Sequence, residues 1–293
     1  SGTPAPAEVH ALKSVDAGEN VRTRGMDVRA GEVVLSAGRR LRPQDVGMLA
    51  MLGVGRVTAF KIPRVALLSS GTELVSVEQP LAPGQIHDTN SYTIGALIGT
   101  AGCAAVNLGV APDDRLAIQV LFGRAAETAA DVIISTAGVS VGALDFVREI
   151  VEAEGSLDFW RVNMRPGKPL AFGEYRHIPF VGLPGNPVSA FVGFEVFVRP
   201  ALEKLAGLAQ EPSLGSLSRP TVRVQLAEPV KSDGRESYLR AIVQERDGVL
   251  SARLTGHQGS GNLLSLVQAN ALLIIPAGVK SLAIGAQADA WML

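Results

Sequence analysis

The chain has one cysteine, Cys103. A single thiol excludes an intrachain disulfide and any thiolate metal cage built by this chain alone. The apolar stretch from Cys103 to Val106 favours a buried structural role for it over catalysis. Long apolar runs are also missing: stretches such as Phe191 to Phe194 fall far short of the roughly 20 residues a membrane-spanning helix requires. No signal-peptide pattern opens the chain, so the sequence reads as soluble and cytoplasmic, with no membrane partner. Charge of one sign is not in excess, since the formal net charge is -1. That argues against a general nucleic-acid binder, which needs a clear cationic surplus. Any anion must be held by a local arrangement of side chains and backbone.

Of 293 residues, 47% are hydrophobic and 19% charged, enough to bury a sizeable core and fill two or three domains. Ser1 in place of Met, followed by the Pro/Ala-rich stretch Ser1 to Ala7, suggests a fragment of a longer protein or a chain carrying a tag. Residues 1–62 read as the remnant of an N-terminal or linker domain, with an extended segment from Ala30 to Leu41 and a short helix from Pro43 to Gly53. Residues 63–208 alternate β-rich runs with helical stretches, the pattern of a doubly wound, mostly parallel α/β sheet domain. Its expected strands are Val65 to Ser69, Ala104 to Gly109, Asp131 to Ser135 and Ile178 to Gly182. Helices are expected at Ser91 to Ala101, Asp113 to Ala126 and Phe146 to Glu154, then at Val188 to Ala206 with Pro200 interrupting or kinking it. Residues 209–293 open with a Ser/Pro/Gly-rich linker and continue in strand-like pieces at Thr221 to Leu226, Ser237 to Gln244, Val249 to Leu254, Ala271 to Ile275 and Gln287 to Met292, as in a small all-β barrel or sandwich.

Ligands of open parallel sheets sit beyond the carboxyl ends of the strands. Acids fall at three of those positions: Glu73 in S-S-G-T-E-L, Asp113 and Asp114 in A-P-D-D, and Asp145 at the end of S-T-A-G-V-S-V-G-A-L-D. Converging carboxylates suit a hard cation such as magnesium bridging phosphate oxygens. Each acid has a plainer alternative: Asp113 or Asp145 as a helix cap, and Glu73 as a first-turn residue facing a helix dipole. The loop at 135–145, with Gly138, Ser140 and Gly142, can turn backbone N–H groups toward an anion. It lacks both G-x-G-x-x-G spacing and a Walker lysine, so the two commonest nucleotide motifs are not supported.

Strand alternation from Leu157 to Arg165 places Trp160, Val162 and Met164 on one face and Arg161, Asn163 and Arg165 on the other, and the turn P-G-K-P adds Lys168. Guanidinium forks suit tetrahedral oxyanions, whereas a lysine is a mobile point charge. The alternative is a solvated edge strand. In L-P-G-N-P-V-S-A, Pro184 opens a strand-to-helix turn, Asn186 can cap the helix, and Ser189 adds a hydroxyl. T-G-H-Q-G-S, with His257 and Ser260, is another small-residue loop that decides nothing alone.

In this order, S-S-G-T-E-L, G-Q-I-H-D-T-N, N-L-G-V-A-P-D-D, S-T-A-G-V-S-V-G-A-L-D, R-P-G-K-P, G-L-P-G-N-P-V-S-A and T-G-H-Q-G-S resemble the molybdopterin molybdenumtransferases, the molybdenum insertases that include the gephyrin E domain. The resemblance covers nearly the whole chain, and R-T-R-G-M-D-V looks like the segment leading into the pterin-binding domain. It implies a magnesium- and molybdate-dependent reaction on adenylylated molybdopterin, in which the pyrophosphate bond is hydrolysed, AMP leaves and molybdenum enters the dithiolene. By that resemblance Glu73, Asp113 and Asp145 serve catalysis and the metal. Arg161, Arg165 and Lys168 form the basic strand and turn, and Arg240 and Ser260 are tail positions near the site. A homodimer is implied, with the molybdopterin adenylyltransferase as a further partner.

Three departures stand out. The family often carries lysine where this chain has Arg161 and Arg165, and it usually has glycine where this chain has Ala137, so a positive φ there would be strained. The family's N-terminal part, with an aspartate-bearing segment and an inserted domain, is expected to be absent, and turnover by the chain as given is expected to be slow. Two alternative functions are the adenylyltransferase and a non-catalytic pterin-binding scaffold.

Overall fold

A computed structural model describes residue 8 and residues 13–137, 146–208 and 219–293. Helix α1 (Pro43–Met51) is followed by β1 (Arg64–Ser70), the short pair β2 (Leu74–Val75) and β3 (Ile86–His87), α2 (Asn90–Thr100), β4 (Ala104–Ala111), α3 (Arg115–Glu127) and β5 (Val132–Thr136). Next come α4 (Phe146–Glu154), β6 (Gly155–Arg161), β7 (Met164–Arg165), β8 (Pro169–Tyr175), β9 (Ile178–Leu183), α5 (Pro187–Gly193), a π-helical turn (Phe194–Val198) and α6 (Arg199–Leu205). The rest of the chain forms β10 (Thr221–Leu226), β11 (Val230–Lys231), β12 (Glu236–Arg246), β13 (Val249–Leu254), α7 (Leu263–Gln268), β14 (Ala271–Ile275), β15 (Ser281–Leu282) and β16 (Gln287–Met292).

The first sheet has the order β4-β1-β5-β9-β8-β6, parallel from β4 to β9, with β8 and β6 added antiparallel. β1 is buried from Val65 to Ser70 and β5 throughout, as befits central strands covered on both faces. Alternation divides the apolar residues of β1: Ala66 and Leu68 face the core under α3 and α4, while Val65 and Leu67 face the core under α2 and α6. Fully burying an aliphatic side chain such as Leu67 stabilises the fold by about 1.5–3 kcal/mol. The α3 core residues Ile118, Leu121, Phe122 and Ala125 follow helical spacing, and Asp114 caps the helix by accepting from the Ala117 N–H at 2.9 Å. Because α2 carries the chain to one side of β1 and α3 carries it to the other, the strand order reverses between β1 and β5. The crevice for ligands is therefore at the carboxyl ends of these two strands.

The second sheet runs β13-β10-β16-β14-β12-β7, and pairing of β13 with β12 closes its first five strands into a barrel. The barrel core gathers Val224, Leu239, Ala241, Leu273, Ile275 and Ala290. Another apolar cluster joins the two sheets, with Met164, Val188 and Val192 packed with Tyr238, Leu266 and Leu272.

The structure corrects three expectations. Leu157 to Arg165 is not one strand: β6 pairs with β8 in the first sheet, with register irregularities, while β7 pairs with β12 of the barrel. Pro166 has no N–H to continue a ladder, and the Val162 N–H closes back on the Lys168 carbonyl at 3.0 Å. Arg161 and Arg165 therefore belong to different sheets. The irregularity expected at Pro200 falls one turn earlier, in the π-helical turn, because Pro200 has no N–H for the carbonyl of Val196. Finally, α3 begins at Arg115 and its cap is Asp114, so Asp113 is not the cap.

Candidate functional site

The loop after β1 is tied to the loop after β4 by reciprocal hydrogen bonds. The Thr72 N–H donates to Asp113 Oδ2 at 3.2 Å, and the Asp113 N–H donates to Thr72 Oγ1 at 3.1 Å. With Asp114 acting as the cap, the Asp113 carboxylate stays exposed and its Oδ1 makes no hydrogen bond among the described residues. Glu73 is exposed on the adjoining loop, its carboxylate folded back over Gly71. Thr72 and Gly71 line a cleft of about 430 Å³ with Asp88, Ser91, Tyr92 and Asn107. Asp145, Gly138, Ser140 and Gly142 lie outside the described residues. Among the described residues no group of three or more His, Cys, Asp or Glu converges.

Below the strand ends lies a buried polar layer that sequence reasoning missed. Ser69 Oγ is 2.7 Å from Thr136 Oγ1 and 3.2 Å from Ser91 Oγ, bridging β1, β5 and α2. Directly after β5, Ala137 has φ +69°, a left-handed conformation that is strained for a residue with a Cβ. The expected cost of alanine at this position is therefore present in the structure.

After β9, Pro184 is buried, Gly185 and Asn186 are exposed, and Ser189 is buried within α5. Asn186 occupies the cap position of α5, but its side chain makes no capping bond. Its Nδ2 instead donates to Ser260 Oγ at 3.0 Å, and the Val188 N–H donates to the Ser260 carbonyl at 3.0 Å. T-G-H-Q-G-S is thereby fastened to L-P-G-N-P, joining motifs far apart in sequence and on different sheets.

Arg240, on β12, is only 1% exposed. Its Nε donates to Ser265 Oγ at 2.9 Å and its Nη2 to the Gly259 carbonyl at 2.9 Å. Gln258 brackets the Arg240 backbone, accepting from its N–H at 2.9 Å and donating to its carbonyl at 3.1 Å. Ser265 and Gln258 were not singled out in the sequence. Among the described residues Arg240 has no carboxylate partner, and burial, reinforced by the nearby Arg165 charge, lowers its pKa to about 10. At neutral pH it remains a cation in a site that supplies no anion.

Arg165, at the end of β7, is half-buried, with Nη1 3.9 Å from Asp233 Oδ2. Arg235 holds Asp233 at 2.5 Å and donates to the Met164 carbonyl at 3.1 Å. Its hydrogen bond, followed by smaller effects that include the Arg165 charge, depresses the Asp233 carboxyl to about 2. Arg161 and Lys168 are exposed and have no side-chain partner among the described residues. The structure thus brings Arg165 near Arg240, and Asn186 to Ser260, whereas Arg161 ends a strand of the other sheet.

Residues 66–204 match the family description "Probable molybdopterin binding domain", residues 223–293 "MoeA C-terminal region (domain IV)" and residues 3–53 "MoeA N-terminal region (domain I and II)". The chain is 36% identical over 261 residues to a molybdopterin molybdenumtransferase of Haemophilus influenzae, covering 88% of this chain and 63% of that protein. It is 34% identical over 316 residues to molybdopterin molybdenumtransferase 2 of Mycobacterium tuberculosis, covering 100% of this chain and 76% of the relative. It spans about three fifths of the length of the Haemophilus influenzae protein. Among solved structures, a molybdopterin biosynthesis MoeA protein from Pyrococcus horikoshii superposes with TM-score 0.77 at 28% identity, covering 92% of this chain and 64% of that one. A molybdenum cofactor biosynthesis protein from Pyrococcus furiosus gives TM-score 0.69 at 27% identity, covering 92% and 82%. Family matches over all three regions, in order, and the fold they share with solved structures place the sequence: the chain belongs to the MoeA family, the molybdopterin molybdenumtransferases.

Proposed function

We propose that this chain carries out molybdenum insertion: hydrolysis of the pyrophosphate bond of adenylylated molybdopterin, release of AMP, and transfer of molybdenum from molybdate to the dithiolene. The observation that carries this reading is Arg240, a buried guanidinium held, among the described residues, by neutral groups alone. An uncompensated buried cation is costly unless a ligand supplies the opposite charge. A tetrahedral dianion such as molybdate does so. Ser260, Arg165 and Lys168 complete the oxyanion site in this proposal, and Arg161 contacts the substrate from the first sheet.

The strand ends of the first sheet take the pterin and its pyrophosphate. Gly138, Ser140 and Gly142 supply loop contacts, while Pro184, Asn186 and Ser189 shape the turn beside them. Glu73 and Asp113 present only oxygen donors on two loops linked through Thr72. That donor set fits magnesium, which is commonly held by one or two carboxylates together with phosphate oxygens. Glu73, Asp113 and Asp145 would hold the ion, which when bound offsets charge on the phosphate oxygens as the pyrophosphate bond breaks. The dithiolene sulfurs belong to the substrate, consistent with a chain whose single cysteine is buried.

The proposal includes a homodimer, substrate delivery by a molybdopterin adenylyltransferase partner, and division of the chain at residues 62/63 and 208/209. Its test is AMP release from adenylylated molybdopterin on addition of molybdate and magnesium without ATP. Formation of adenylylated molybdopterin from molybdopterin and ATP, with release of pyrophosphate and no molybdate-dependent AMP release, would move the chain to the adenylyltransferase reaction, and pterin binding without either reaction would make it a scaffold.

A further inference from the structure

Asn90, the last residue of G-Q-I-H-D-T-N, has no role in the chemistry above. It is 7% exposed at the start of α2, and its Nδ2 donates to the Gly185 carbonyl at 2.7 Å. The helix does not need it as a cap, because Asp88 Oδ1 already accepts from the Ser91 N–H at 3.1 Å. Its Oδ1 is buried and has no hydrogen-bond partner among the described residues. A buried acceptor left unpaired is a cost to the folded state, so stability alone does not account for asparagine here.

Gly185 directly precedes Asn186, the residue whose amide reaches Ser260. The Asn186 side chain at the α5 cap position makes no capping bond that would hold this turn locally. Side-chain contacts hold the turn from both sides. Asn90 holds it on the first sheet, while Ser260 holds it from the barrel through Asn186 and the Val188 N–H. The barrel loop bearing Ser260 also supplies the Gly259 carbonyl that accepts from Arg240. We propose that Asn90 is a positioning residue: it sets the L-P-G-N-P turn so that Asn186 meets Ser260, and so assembles the oxyanion site across the two sheets. This rests on the oxyanion reading of Arg240 and Ser260.

The test compares the full chain with Asn90→Leu, which keeps the shape and removes both polar atoms, and with Asn90→Ser. Three quantities are read: the melting temperature, hydrogen exchange at the Val188 amide, and molybdate affinity by calorimetry. The expected result is a melting temperature unchanged or raised in Asn90→Leu, with Val188 exchange about tenfold faster and molybdate binding about tenfold weaker. Adding Ser260→Ala to either variant should then cost less than it does in the wild-type background, because both residues act through one turn. Unchanged Val188 exchange and affinity in both variants would overturn the proposal, as would a lowered melting temperature with affinity intact or failure of both to fold. If the wild-type chain does not bind molybdate, the oxyanion reading fails, and Val188 exchange still decides whether Asn90 sets the turn.

Discussion

Arg240 Nε donates to Ser265 Oγ at 2.9 Å, and the Ser265 hydroxyl in turn donates to the Asn262 carbonyl at 2.6 Å, so among the described residues the guanidinium is aimed by neutral groups and its charge is not cancelled. A structural arginine in this position would be expected to face a carboxylate. Replacing an uncompensated buried charge by an apolar side chain of similar length is commonly neutral or stabilising. Arg240→Met should therefore unfold in urea with a free energy within about 1 kcal/mol of wild type or above it. A loss of about 3 kcal/mol or more would make Arg240 a structural residue.

The depressed pKa gives this site a pH dependence. Arg240 must be protonated to attract an anion, and burial brings its pKa down to about 10. Molybdate affinity should hold steady through neutral pH and fall as pH rises through about 10. Affinity that is flat to pH 11 would place the anion away from Arg240.

Ala137 holds φ +69° immediately after β5. A glycine adopts that conformation without a Cβ penalty, so Ala137→Gly should raise the unfolding free energy by about 1 kcal/mol despite the greater freedom of glycine in the unfolded chain. Thermal or urea unfolding measures it. A destabilised variant would mean that the alanine methyl group contributes more through packing than its backbone strain costs.

Glu195, fully buried in the π-helical turn, accepts from Arg219 at 2.7 and 2.8 Å and from Arg199 at 2.9 Å. This pins the start of the barrel segment to the helix that follows β9. Removing the carboxylate leaves two largely buried guanidiniums without their shared partner. Glu195→Ala should cost about 3–5 kcal/mol in stability. Molybdate affinity of the folded protein should be unchanged, and a selective loss of affinity would show that the network serves the site.

Much of the fold was legible because short-range pattern and tertiary burial agree. The barrel strands Thr221–Leu226, Val249–Leu254, Ala271–Ile275 and Gln287–Met292 form where turn residues and β-rich runs predict them. β8 is not among the expected strands, because Pro169 closes the turn P-G-K-P and glycine, as at Gly173, is a weak strand former; as an antiparallel neighbour of β6 and β9, the strand accommodates both. The split of the basic strand is hidden from the sequence, because alternation reports faces within one strand and carries no signal for a chain that crosses to another sheet at Asn163. The acids of A-P-D-D were visible, but which of them caps α3 depends on where the helix begins. Arg240 and Asn90 show the larger limit: a missing counter-charge and an unpaired amide oxygen are properties of the tertiary neighbourhood, and no spacing encodes them.

The claim at the centre of this account is that Arg240 on the barrel holds the oxyanion that reacts at the strand ends of the first sheet. Calorimetric titration of molybdate into the wild-type chain and Arg240→Met, at neutral pH and fixed salt, tests it most directly. The predicted result is saturable binding by the wild type and affinity at least tenfold weaker in a variant that stays folded, the scale of losing one charge-assisted contact of about 1.4 kcal/mol. Superimposable isotherms for the two proteins would contradict it.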